Sequence, residues 1–155
     1  MQNSGALKII LCLAGGVAIA VGSGILFFPV AMYATNDIAL GGAASLLSEV
    51  RGSGGAILAA GLLVVSGAFI ARLRFSALLI STVLYLSYGA SRLLSLALDG
   101  VPATGLLAVT ALEIVIGGIC LYALVRFRPD IDVDVDVDVD VGRDRAGASI
   151  GADAV

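Results

Sequence analysis

The sequence predicts an all-α fold: a four-helix transmembrane bundle of antiparallel up-down topology, with both termini cytoplasmic and a disordered acidic C-terminal tail. Three observations predict it. Of 155 residues, 59% are hydrophobic and 14% charged, against about 45–50% and about 25% in soluble domains. Four runs are nearly free of charge, and each approaches or exceeds the roughly 20 residues that a helix needs to cross a hydrocarbon core. Finally, the charges gather in the gaps between those runs and in the last segment of the chain.

The first run spans about residues 9–32 without a charge. Ala18-Ile19-Ala20 loosely resembles a cleavage site, but the apolar run continues well past it, so the segment is expected to stay as a membrane span. Asn36, Asp37, Gly41 and Gly42 then mark a loop. The second span covers about 52–71 and the third about 75–98, separated by the tight turn at Arg72-Leu73-Arg74. Asp99-Gly100-Val101-Pro102 turns the chain into the fourth span, about 102–125, with Pro102 suited to its first turn. Short links place successive helices side by side and antiparallel. Residues 1–128 thus form the membrane domain.

Residues 129–155 hold eight Asp against Arg143 and Arg145, a net charge of −6, which leaves +3 for the rest of the chain. From Asp130 to Val141 aspartate alternates with Val or Ile. The glycine and terminal glutamate of an EF-hand are missing, so this stretch is expected to be a solvated, self-repelling tail and not a cation site. At the span ends Lys8, Arg72, Arg74, Arg126 and Arg128 share one side, and only Arg51 lies on the other, beside Asp37, Glu49 and Asp99. The positive-inside rule then puts both termini in the cytoplasm, with the chain in the inner (plasma) membrane.

The chain has no His and no Trp, and its two cysteines, Cys12 and Cys120, stand far apart in apolar stretches. Haem ligation by His, zinc sites and dithiol exchange all need residues that are missing here, so no cofactor and no metal are expected. Nucleic acid is not an expected partner either; the lipid bilayer is. Ala14, Ala18 and Gly22 in the first span and Gly55, Ala59 and Ala60 in the second are small enough to let helices approach closely.

Chemistry concentrates in the third span, where Ser81, Tyr85, Tyr88, Arg92, Ser95 and Asp99 recur at spacings of three and four, a single helical stripe. Lipid cannot satisfy an arginine and two phenols, so the stripe should face the interior or a water-filled cavity. In the fourth span Thr110, Glu113, Gly117 and Cys120 form a shorter stripe. Arg92 lies about 9 Å and Glu113 about 16 Å from the same end of their spans at 1.5 Å per residue. Helical side chains lean toward their own N-terminus, so on antiparallel helices the two lean toward each other. Unpaired, they would together cost roughly 5–7 kcal/mol near the bilayer centre. The expected polar site is therefore Arg92 with Glu113, flanked by Tyr88 and Tyr85 and extended by Asp99, Arg51 and Glu49 at the outer mouth; the alternatives are that the pair only locks the third and fourth helices in register, or that Arg92 snorkels to the outer interface and Glu113 sits alone and protonated.

From about Pro29 to Arg126 the chain resembles the bacterial domain-of-unknown-function family 4345, a family of four-helix membrane proteins. The resemblance rests on Glu49-Val50-Arg51-Gly52, on Gly89-Ala90-Ser91-Arg92-Leu93-Leu94-Ser95, on Leu98-Asp99-Gly100-Val101-Pro102 and on Leu112-Glu113. It implies the fold and the recurrent polar residues Glu49, Arg51, Arg92, Asp99 and Glu113, without an activity. DoxX-like four-helix proteins offer an analogy of architecture.

The function expected from these readings is that of a non-enzymatic membrane protein with an outward-facing polar pocket. It would bind a small or amphipathic ligand, or act as an accessory subunit to a membrane partner protein, alone or as a homo-oligomer. A proton-coupled transporter using Glu113 is the alternative, opposed by the permanent cation at Arg92. A membrane-embedded enzyme with Tyr88, Arg92 and Glu113 comes third, because no nucleophile or metal constellation accompanies them.

Overall fold

A computed structural model describes residues 3–126. Its helices, in order, are α1 (Asn3–Phe27), α2 (Pro29–Ala34), α3 (Ala44–Phe69), α4 (Arg74–Asp99) and α5 (Thr104–Arg126), with a single 3-10 turn at Ala71–Leu73 before α4. There is no strand among the described residues. Among the described residues four helices are long and apolar enough to cross a membrane: α1, α3, α4 and α5. The tail and Arg128 lie outside the described residues.

Several boundaries differ from the expectation, each for a local reason. The first apolar run does not continue unbroken to Met32; it breaks at Phe28, whose backbone sits at φ −129°, ψ 51°. Pro29 follows, and a residue before proline is pushed out of the α region, while proline itself has no N–H to continue the ladder. The α3 helix starts eight residues before Gly52, so Glu49 and Arg51 lie within a helix and not at its entrance. Pro102 precedes the fourth long helix instead of opening it, and the first turn is built on the Ala103 carbonyl, which accepts from Leu106 N at 2.9 Å and Leu107 N at 3.3 Å. Gly100 closes α4 at φ 97°, a conformation that side chains rarely adopt.

Glycines set the closest approaches. A Cβ on Gly22 would lie 2.5 Å from Leu58 N, one on Gly54 2.7 Å from Leu26 N, and one on Gly61 2.8 Å from Ile19 N. As the α1 residue number falls its α3 partner's rises, so α1 and α3 are antiparallel and nearly in backbone contact. Gly117 meets Leu86 and Gly89 meets Ile114, which sets α4 against α5 in the same manner. The paired glycines divide their duties: Gly15 and Gly117 are packed, whereas a side chain at Gly16 or Gly118 would meet open space. Gly55 likewise faces open space and Ala59 is exposed, so the packing face of α3 is Gly54, Ile57, Gly61, Val64 and Ala68, not the Gly55, Ala59 and Ala60 face expected.

Helices α3 and α4 meet through the short turn between them, and α1 touches both α4 and α5 lightly. The core is deepest where Leu11, Ala14, Val64, Leu78 and Cys120 come together, all at most 1% exposed. Tyr85 ties α1 to α4 there, its hydroxyl donating to the Ala14 carbonyl at 2.5 Å. Cys12 and Cys120 are free thiols within the apolar packing. The more sparsely packed region lies in the other half, toward the α1–α3 and α4–α5 connections.

Candidate functional site

In that half the two tight helix pairs diverge and leave a cavity of about 250 Å³. Its apolar wall comes from Val17, Ala18, Val21 and Ile25 of α1, Ile57 of α3 and Leu84 of α4, and its polar side from Tyr88, Arg92 and Glu113. Met32, Tyr33 and Asn36 bound it near the connections.

The α4 stripe explains how the polar side forms. Ser81 and Tyr85 are buried, Tyr88 and Arg92 are half-buried along the cavity, and Ser95 and Asp99 emerge exposed. One continuous face thus runs from core through cavity to surface. Arg92 Nε donates to Glu113 Oε2 at 3.0 Å, with 31% of the arginine and 12% of the glutamate side chain exposed. This is the one ion pair among the described residues. The geometry is one-point, so the two terminal nitrogens of Arg92 and Glu113 Oε1 make no hydrogen bond among the described residues. The α5 stripe turns inward along its length: Thr110, Gly117 and Cys120 are buried around the half-buried Glu113.

Hydroxyls on the two stripes, and that of Thr82 beside them, are satisfied locally. Ser81 donates to the Ala77 carbonyl, Thr82 to Leu78 O at 2.7 Å and Thr110 to Leu106 O at 2.8 Å, each one turn back on its own helix. Tyr85 contributes its ring to the cavity wall, while its hydroxyl is engaged by Ala14.

The expected extension of the pair into a charged cluster does not form. Arg51 Nη1 instead donates to the Leu26 carbonyl at 2.5 Å. That carbonyl loses its helical partner at the Pro29 break, and Arg51 replaces it, capping the end of α1. Arg51 borders a separate shallow groove with Phe27, Phe28 and Leu47. Glu49 is exposed and has no hydrogen-bond or ion-pair partner among the described residues. Asp99 is exposed and accepts from Ser95 Oγ at 2.8 Å. Of the seven residues expected at the site, the structure brings Arg92, Glu113, Tyr88 and the ring of Tyr85 together and leaves Asp99, Arg51 and Glu49 outside.

Tyr33 and Asn36 were not anticipated, because a short loop after a long apolar run carries no periodicity to read. What places them is a Schellman-type helix end: Ile38 N bonds to Tyr33 O at 3.2 Å and Asp37 N to Ala34 O at 3.1 Å. Asp37 supplies the left-handed residue at φ 60°. This end directs Asn36 across to α5, where its Oδ1 lies 2.5 Å from the position of a Cβ on Gly105. The signal for it was the Asn36-Asp37 pair after a short Pro-initiated segment, the two residue types that, after glycine, best tolerate such a turn.

No group of three or more His, Cys, Asp or Glu side chains is placed to hold a metal among the described residues. The arrangement can instead orient a molecule by hydrogen bonds from Arg92 and phenol hydroxyls within an apolar surround. The model of one protein family, described as a domain of unknown function (DUF4345), matches residues 6–124. The match therefore takes in most of α1, beyond the stretch from Pro29 on which the resemblance was drawn. No curated protein and no solved structure matches the chain.

Proposed function

The chain belongs to the domain of unknown function (DUF4345) family, and we propose that it is a non-enzymatic, multi-pass inner-membrane protein that binds a small or amphipathic ligand between its helices. In this reading the four long helices form an antiparallel transmembrane bundle. Both termini face the cytoplasm, and the cavity opens toward the outside. The observation that carries it is the cavity with Arg92 and Glu113 on its wall. An intramembrane ion pair with unengaged donors, set on the wall of a mostly apolar cavity, is costly for a protein that needs only a lipid-facing scaffold. Pockets of this form, mostly apolar with a few convergent polar groups, are the usual form of a small-molecule site. Proton-coupled transport through Glu113 is disfavoured by the guanidinium held 3.0 Å from its carboxylate.

The test is the protein's own cargo. Native mass spectrometry of the protein purified in mild detergent should show a retained small molecule, lost when Val21→Trp fills the apolar wall. Equal adducts in both proteins, or none in either, would refute the pocket.

A further inference from the structure

We infer that the pocket takes an uncharged amphiphile, apolar end deepest, whose head presents carbonyl-type oxygens to Arg92. This deepens the pocket reading above and rests on it. Three features of the cavity carry it.

The first is charge balance. Among the described residues Arg92 and Glu113 are the only charged ones on the cavity wall, and they cancel. A charged head would leave one uncompensated charge in a poorly solvated space, which is strongly unfavourable. An uncharged head meets no such penalty.

The second is the excess of donors. Arg92 uses only Nε on Glu113, so the N–H groups of its two terminal nitrogens are free to donate, and the Tyr33 and Tyr88 hydroxyls have no hydrogen-bond partner among the described residues. The remaining wall hydroxyls are committed elsewhere, Tyr85 to Ala14 O and Ser53 to Val50 O. The phenol oxygens also accept, as do Glu113 Oε1 and Asn36 Oδ1, so the excess of donors comes from the terminal N–H groups of Arg92, which can only donate. The bound head must therefore accept more than it donates, as ester and ketone oxygens do.

The third is segregation along the helix axes. Val17, Ala18 and Leu84 line the deep end, one turn or more from the level of Tyr88 and Arg92, and offer carbon alone. Nearer the connections the wall is mixed, with Tyr33 and Asn36 among Met32, Ile38, Leu106 and Val109. A tail placed deep and a head placed at Arg92 match this order, whereas the reverse orientation would bury the head against carbon.

Ligand-induced thermal stabilisation of the full chain in maltoside micelles, read by helical circular dichroism, tests this with defined probes. Monoolein, methyl decanoate, oleate and oleylamine are compared at equal concentration. The wild type should be stabilised by monoolein or by methyl decanoate and not by the two charged probes. Stabilisation by monoolein alone points to a membrane lipid as the source, and by methyl decanoate as well to a free ester. The shift should vanish in Val21→Trp and in Ile25→Trp, two variants that fill the cavity from neighbouring turns, provided each retains wild-type helicity and elution volume. Glu113→Gln leaves Arg92 uncompensated and should gain a response to oleate, with affinity raised by about ten-fold or more, a modest return for a unit charge in this setting. A wild type that prefers oleate or oleylamine, in a response that the tryptophan variants abolish, overturns the uncharged class and leaves the pocket standing. If no probe gives a response that the tryptophan variants abolish, the pocket reading falls with it.

Discussion

Arg92 reaches Glu113 across two antiparallel helices because both side chains lean toward their own N-termini. Each group is partly shielded, with 31% and 12% of the side chains exposed, so removing one leaves the other in a poorly solvated site. Arg92→Ala and Glu113→Ala should each destabilise the detergent-solubilised protein by more than Leu112→Ala, an exposed site one residue away. The loss should fall toward the lower part of the about 3–5 kcal/mol typical of broken buried pairs. The double mutant should recover part of the loss, and strict additivity in that cycle would show that the two groups do not act together. Arg51 teaches a different lesson at the same scale. Its sequence neighbours mark it as a pocket residue, but its guanidinium caps the Leu26 carbonyl left free where the helix breaks at Phe28. Arg51→Ala should therefore loosen the end of α1 without changing ligand retention, measured by faster backbone hydrogen exchange at residues 24–30.

At the scale of the element, α1 and α3 are joined by glycines and not by large side chains, since lipid offers little hydrophobic incentive for helices to associate and close backbone contact takes over. A Cβ on Gly61 would sit 2.8 Å from Ile19 N and 3.0 Å from Ala18 Cβ, with no flexible side-chain end to move aside. Gly61→Ala should cost about 1–3 kcal/mol, the range for overpacked interiors. Gly16→Ala, on the same pair of helices but facing open space, should be neutral or stabilising, because alanine is the better helix former. Thermal unfolding of the two variants side by side checks this, and equal losses would mean that the glycines matter for something other than approach. The break at Phe28 also belongs to this scale. It turns the end of the first apolar run into α2, and α2 brings Tyr33 and Asn36 over the cavity.

For the whole molecule, the distribution of cations predicts orientation. Lys8, Arg72, Arg74 and Arg126 lie at the end of the helices that carries the α3–α4 turn, while the other end carries Asp37, Glu49 and Asp99 with Arg51 as its only cation among the described residues. Reporter fusions should place residue 8, the 70–74 turn and the C-terminus in the cytoplasm, and residues 37 and 100 outside. A C-terminal reporter found active outside would reverse the arrangement, and the cavity would then open inward.

The sequence by itself determined the four long helices, because runs of apolar residues the length of a bilayer admit no other hydrogen-bonded solution in lipid. It also determined the α4 stripe and, through depth and side-chain direction, the meeting of Arg92 with Glu113, since both follow from helical periodicity alone. Tertiary structure decided which of the remaining polar residues share that site. Glu49 and Arg51 share the right end of the molecule with the pair, but rotation about the α3 axis, set by the glycine contacts Gly22–Leu58, Gly54–Leu26 and Gly61–Ile19, points them elsewhere, while Asp99 keeps the Arg92 face of α4 but lies two turns further along it, at the surface. Tyr33 and Asn36 reach the cavity only through a proline break followed by a left-handed turn at Asp37. Local periodicity is written in the chain one residue at a time, whereas the partner of a side chain depends on how two backbones fit together.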